Sequence, residues 1–291
     1  MYDSIRSIQE IIEPQTVIEG AGVRLLRSIA PHRANRFDPF LLFDHFAFND
    51  PREGAIAGFP THPHRGIETV TYMLQGSVRH RDSLGNTGVI GAGDVQWMTS
   101  GRGILHEEMP RRDANGNIYG FQLWVNLPAA LKMSQPRYQE VQASQIPLVE
   151  RDGAGVRVVA GEYHSARGPV GEIAAQPVYM EVQLQPSARF SLPLPHDHTL
   201  LVYLFAGQAA FGEGNPDPWQ GEPLSANKML VFTPGTRFEA QTGPGSAARF
   251  MLMAGAPFGE PIYPYGPFVM NTREEIEQTL AELRAGNFIR A

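Results

Sequence analysis

Residues 58–76 read GFPTHPHRGIETVTYMLQG, and residues 93–110 read GDVQWMTSGRGILHEEMP. The first stretch carries His62 and His64 with one residue between them, and the second carries His106 and Glu108 at the same spacing. Along an extended strand, residues i and i+2 point to the same face, so each pair can converge on one point. Three imidazoles and one carboxylate arriving from two strands suit a first-row divalent metal. A histidine-proline-histidine triplet alone is commonplace, and histidines near loops usually only hydrogen-bond to backbone or water. The second pair tips the balance. Gly101 and Gly103 frame it, Ile104-Leu105 lead into it, and a carboxylate facing a barrel interior without a cation is costly to bury.

Outward from these stretches the chain reads as strands. ETVTYML (68–74) is β-branched and aromatic, and Gly76 follows it closely. Turn signals at Gly85-Asn86 and Gly91-Ala92-Gly93 separate it from GVIGAGDVQWMTSGRG and then GFQLWVNL (120–127). Strands this close, joined by tight turns, predict an antiparallel barrel or jelly roll rather than a parallel sheet. Upstream, TVIEGAGVRLLRSI (16–29) alternates around a Gly-Ala-Gly turn, and the aromatic-rich FDPFLLFDHFAFND (37–50) is expected to lie over the site. His45 within it has no paired partner and reads as structural. Residues 128–147 lose the strand pattern and read as a connector. That places one domain at 1–137 and a second at 138–291. Strand character resumes in 155–163, 177–186, 199–212, 227–235 and 247–255, and the chain closes on one helix, NTREEIEQTLAELRAGNF (271–288). Asn271 or Thr272 is its cap, Gly286 its end, and Ile276, Leu280 and Leu283 its packing face.

The two halves repeat. TYMLQG, ending at Gly76, matches VYLFAG, ending at Gly207, and DVQWMTSG matches KMLVFTPG, placing Gly101 on Gly235. Carried forward, the second alignment puts His106 on Ala240 and Glu108 on Thr242, while His62 and His64 fall on Pro193 and Pro195. The second half keeps the scaffold without the ligands. His196-Asp197-His198 has the right spacing but no partner pair, so one metal ion per chain is expected.

Composition narrows the class. The chain has 291 residues, 42% hydrophobic, room enough for two ordinary domains. A net charge of −6 and a pI near 5.9 argue against direct nucleic-acid binding. Thirty glycines and 24 prolines are scattered as turn punctuation, favouring short strands over long helices. There is no cysteine, which excludes disulfides, cysteine-ligated iron–sulfur clusters and thiolate zinc sites. No apolar run approaches the roughly 18 residues of a membrane span, and the polar MYDSIRSIQEIIEPQ lacks a secretory core. A cytoplasmic protein is expected.

A histidine pair and a third histidine on a later strand, framed by glycines, resemble the cupin superfamily. FDPFLLFDHF, both site stretches, FQLWVNLP and the closing EPIYPYGPFVMNT resemble pirin, a bicupin. The resemblance implies an all-β fold of two tandem cupin-type antiparallel β-sandwich barrels with a short C-terminal helix. It further implies one divalent metal in the first barrel, Fe(II) before Mn, Co, Ni, Cu or Zn, held by His62, His64, His106 and Glu108. The general cupin pattern would instead offer Glu68, which even spacing from His64 aims inward unless Gly66 interrupts the strand. Glu107 is expected to point away, and His80 to line the cavity. Phe43, Phe46, Met73, Trp97 and Phe121 are expected as cavity or core. The implied activity is that of a quercetin 2,3-dioxygenase, with a flavonol-like substrate, O2, and Glu108 as both ligand and proton acceptor. The alternatives are a non-catalytic metal-containing regulator acting through a protein partner, and a structural metal in a protein that regulates another enzyme.

Overall fold

The computed structural model describes residues 4–48, 57–212 and 223–289. The chain divides into two compact units, and the division is not a single cut. One unit comprises Gln15–Ala143 with Phe258–Ala291, and the other Met1–Pro14 with Ser144–Pro257. The expected boundary between 137 and 138 therefore shifts to 143/144, and each half gives up its outer end to the other. Backbone pairing and one buried side chain account for the exchange at the N-terminus. Strand Ile8–Ile12 pairs antiparallel with Lys228–Phe232. Arg6, fully buried, donates to the carbonyls of Gly235 (2.9 Å), His198 (2.7 Å), Pro195 (2.6 Å) and His196 (3.1 Å). The His196-Asp197-His198 stretch thus serves through its backbone, whose carbonyls at both histidines hold an arginine.

The unit that carries the histidine stretches is built from two antiparallel sheets. The larger runs in the order Arg137–Val141, Val95–Thr99, Ile67–Gln75, Ile118–Asn126, Phe40–Phe48, Val23–Ile29, Gln15–Glu19. The smaller runs Phe59–His64, Ile104–Arg111, Ser77–Asp82, Thr87–Ile90. Tight glycine turns make the hairpins, as the punctuation predicted; Gly76, between two strands, has φ +73°. The other unit repeats the plan. Strand Thr199–Phe211 is long enough to pair with Lys228–Phe232 at one end and Arg237–Gln241 at the other. Its interior is packed with Phe190, Phe211, Phe232, Phe238 and Phe250, ring against ring. Gly207 repeats φ +73° at the position matched to Gly76. These are the two antiparallel β-sandwich barrels expected from the sequence. No helix among the described residues is long and apolar enough to cross a membrane.

The helix spans Arg273–Arg284, with Thr272 as cap and a reciprocal capping box to Glu275. Ile276 and Thr279 are its buried residues, while Leu283 is 37% exposed and does not join the packing face as expected. The face is turned toward Thr279 by Arg65. That buried guanidinium donates to Thr279 Oγ1 (3.0 Å), Glu282 Oε2 (2.7 Å) and Arg102 O (2.6 Å), and lies 4.5 Å over the Phe288 ring. Beside it, buried Lys132 donates to Gly66 O (2.9 Å), Asn126 Oδ1 (2.7 Å) and Val269 O (2.8 Å). Burial pushes the Lys132 ammonium down to about 7. The closing segment is thus clamped to the chain next to His64.

Gly66 is where this clamp is tightest. Its φ is +79°, and a Cβ there would lie 2.2 Å from Val269 O. Gly66→Ala is expected to cost at least ~2 kcal/mol, from left-handed strain plus a backbone clash. Denaturant melting checks this, and an unchanged midpoint would contradict the packing described.

Candidate metal centre

Strands Phe59–His64 and Ile104–Arg111 pair antiparallel, with His64 opposite Ile104 and His62 opposite His106. The one-residue spacing puts His62 and His64 on one face, as read from sequence. A bulge between His106 and Glu108 shifts the register there. Ring centroids lie 4.3 Å apart for His62–His106, 4.9 Å for His64–His106 and 4.9 Å for His62–His64. One nitrogen from each of these three rings falls within 4.8 Å of the others. A second cluster within the same limit joins His106 and Glu108 to His80. The structure thus arranges the four expected ligands as two overlapping triads that share His106, with His80 alongside.

Hydrogen bonding fixes what the rings offer. His62 Nδ1 lies 2.9 Å from Pro60 O, and His64 Nδ1 lies 3.2 Å from Pro267 O. A carbonyl only accepts, so each Nδ1 carries the proton and each Nε2 presents a lone pair. These two Nε2 atoms face each other at 3.1 Å, an arrangement that repels unless a proton or a cation lies between or beside them. His106 is 1% exposed, and neither of its ring nitrogens has a hydrogen-bond partner among the described residues. Burial first, and the neighbouring rings second, hold His106 well below the usual histidine value, and burial with His62 pushes His64 down to about 3. Neutral imidazoles with unspent lone pairs are the form a metal requires. The residues fit a divalent cation.

Glu108 is 7% exposed and is held from behind by Thr71 Oγ1, 3.0 Å from its Oε1. Thr71 Oγ1 also lies 2.9 Å from the end of the Gln122 side-chain amide. The hydroxyl has one proton, so with Glu108 accepting it, the Gln122 amide turns its NH2 toward Thr71. Removing this support is expected to weaken metal binding about 10–100-fold in Thr71→Val, with Thr71→Ser close to the parent. Competition against a chelator of known affinity measures it, and equal affinity in the valine variant would contradict the role given to Thr71.

Other expectations resolve differently. Glu68 does not reach the site. Gly66 ends one strand before Ile67–Gln75 begins, and Thr71 defines the inward face of the new strand, so Glu68 faces the opposite way. Its Oε1 accepts from Thr99 Oγ1 at 2.8 Å, and burial pushes its carboxyl up to about 7. Glu107 points outward toward Arg79 (3.8 Å), as expected. His80 is fully buried; its Nε2 donates to Asp82 Oδ2 at 3.1 Å, and its Nδ1 has no hydrogen-bond partner among the described residues. His45 lies on the face away from Asp44, its ring against Tyr119 and Phe121. Phe43 stacks on Phe121 on that same face, so both are core rather than cavity.

A cavity of about 430 Å³ opens on His62, His64 and Glu108. Leu25, Leu42, Phe46, Phe59 and Trp124 form apolar walls, and Glu19, Arg27, Asp44 and Gln122 a polar side. Trp124 meets His64 edge-on at 5.1 Å. Thr71, Gln122, Trp124, Glu19 and Arg27 were not singled out from sequence, and Asp44 only as an anchor of its aromatic-rich segment. The available signal was the alternation in TVTYM and FQLWVN, but both faces of these strands are buried, so parity alone did not say which residues look inward.

The pirin family model matches residues 22–125, and the model of the pirin C-terminal cupin domain matches residues 179–289. This chain belongs to the pirin family. A pirin-like protein of Caulobacter vibrioides is 42% identical over 286 residues, covering 98% of this chain and 99% of its own. Human pirin is 40% identical over 267 residues, covering 91% of this chain and 88% of its own. Among solved structures, a quercetin 2,3-dioxygenase from Acinetobacter baumannii superimposes with a TM-score of 0.84 at 31% identity, covering 98% of both chains. In this pirin-family chain the ligand-type residues cluster in the first barrel. The positions matched in the second, Ala240 and Thr242, hold no metal-binding atom of that kind.

Proposed function

We propose that the chain is a metal-dependent dioxygenase that opens the ring of a flavonol such as quercetin with O2. The observation that carries this reading is the cavity beside the histidine cluster. A volume of about 430 Å³ falls within the ordinary range for small-molecule sites, and its apolar walls suit a flat aromatic body. A purely structural metal needs no such space. The Acinetobacter baumannii neighbour named as a quercetin 2,3-dioxygenase supports the same class.

His62, His64, His106 and Glu108 would hold the ion. Glu108 is preferred to His80 as the fourth donor because it lines the cavity with His62 and His64, and His80 does not. Bound there, Fe(II), or Mn, Co, Ni, Cu or Zn, supplies Lewis-acid chemistry, and the redox-active ones also electron transfer. With Glu108 Oε1 taken by the Thr71 hydroxyl, we assign acceptance of the substrate hydroxyl proton to Oε2. Phe59 and Trp124 exclude water from the faces of the substrate ring, and Gln122 sits where a carbonyl or hydroxyl on the ring edge would pass.

Metal-loaded protein mixed with quercetin in air is expected to bleach the flavonol absorbance and release carbon monoxide in equal amounts. Absence of turnover with every one of the candidate metals would replace this reading with that of a non-catalytic regulator.

A further inference from the structure

A row of polar side chains crosses the inner face of the larger sheet in the metal-bearing barrel. Strand register sets Arg27 opposite Asp44, Asp44 opposite Gln122, Gln122 opposite Thr71, and Thr71 opposite Gln96. Directly opposed residues share a face, so the five form one line across five strands. One place in from the Gln96 end, Thr71 supports Glu108. At the other, Asp44 accepts from Arg27 Nε and Nη2 at 2.8 Å each, and Glu19 accepts from Nη1 at 2.7 Å.

The second barrel shows what the fold itself needs at these positions. Thr71 and Val202 each lie five residues before the matched turn glycines, Gly76 and Gly207. The row through Val202 runs Leu230, Val202, Leu252, Met180, Val158 by the same succession of strand pairs. Every member is apolar and buried. Packing therefore does not call for polar groups here, and burying them is costly. Their presence in the first barrel alone points to a ligand, and Glu19, Arg27, Asp44 and Gln122 share one cavity with His62, His64 and Glu108.

The chemistry at the far end selects the ligand. Arg27 spends three of its five N–H groups on Asp44 and Glu19. Among the described residues two remain unspent, and Glu19 keeps a second oxygen. One cation and two carboxylates leave the group with a net negative charge. A hydroxyl can donate to Glu19 and accept from Arg27 at once. A carboxylate meets like charge and has no proton to give.

We infer that this row is a recognition track for a flat, polyhydroxylated aromatic ligand, with Glu19 and Arg27 reading hydroxyls on the ring farthest from the histidines. The orientation rests on the dioxygenase reading, which places the reacting end at the histidines. The test is calorimetric titration of metal-loaded protein with three flavonols. These are quercetin, galangin (the same ring system without hydroxyls on the distal ring), and an analogue carrying a carboxylate on that ring. Quercetin is expected to bind about 10-fold tighter than galangin, the worth of one charge-assisted hydrogen bond, with the carboxylated analogue weakest. Glu19→Gln, at a side chain 43% exposed and so safe for folding, is expected to weaken quercetin and strengthen the carboxylated analogue. Equal affinity for all three ligands, or affinities for quercetin and the carboxylated analogue that do not move in Glu19→Gln, overturns the track. Turnover measured on the same samples separates the two readings. The predicted ranking without flavonol loss overturns the dioxygenase and leaves the track standing, whereas turnover with no ranking does the reverse.

Discussion

Purified His106→Ala protein is expected to contain essentially no stoichiometric metal, with affinity lowered by roughly a thousand-fold or more. That exceeds the ~10–100-fold expected when only a hydrogen-bonded support of a ligand is lost. His106 is chosen because it is the one residue common to both ligand clusters. Its removal leaves His62 and His64 on one side and Glu108 on the other, with nothing to close the set. Folding is not the confounder it would be at an ordinary core position. Neither ring nitrogen of His106 is hydrogen-bonded among the described residues, so the metal-free variant escapes a desolvation cost and forfeits only packing. A net change within about 2 kcal/mol of the metal-free parent is expected. Elemental analysis gives the metal content, and full retention would reject the ligand set. Two ions per chain would reject the single-site reading of the repeat.

Stripped of metal, the protein is expected to lose stability steeply as pH falls from 7 to 5. His64 and His45 are pushed down to about 3 and about 4, in each case mainly by burial. In the unfolded chain both protonate near 6.5, so between 6.5 and these folded values only the unfolded state takes up the proton. Each therefore contributes stability above 6.5 that drains away below it, about 2 kcal/mol apiece by pH 5. His106 acts in the same direction. Glu68 opposes them. Burial pushes its carboxyl up to about 7, so the folded state gains a proton first and recovers about 2 kcal/mol over the same range. The balance is a loss of at least ~2 kcal/mol, read as a lower denaturant midpoint at pH 5 than at pH 7 in chelator-treated protein. A midpoint that holds or rises on acidification would contradict the neutral, desolvated histidine cluster.

Much of the site was legible because its signal is local. Strand parity places His62 with His64 from spacing alone, whereas His106 comes to lie opposite His62 through the register of two strands far apart in sequence. The blank second site was legible too, since Ala240 and Thr242 fall by alignment on His106 and Glu108. Glu68 shows where parity fails. Counting from His64 across Gly66 assumes one continuous strand, and a glycine at φ +79° breaks the count. Leu283 fails for a related reason, because the helix is aimed by a buried arginine from another part of the chain rather than by its own apolar stripe.

By itself, then, the sequence determined the all-β class, the repeat, the loss of ligand-type residues in the second half and the candidate metal ligands of the first, since each depends on neighbours a few positions apart. Only the tertiary structure decided that residues 1–14 and 258–291 change places between the barrels. It alone also showed that Thr71 braces Glu108 and that Arg27, Asp44 and Gln122 line up across the sheet toward it. Those relations depend on strand register between segments far apart in sequence, and register is set by the packing of whole sheets, which no local pattern encodes.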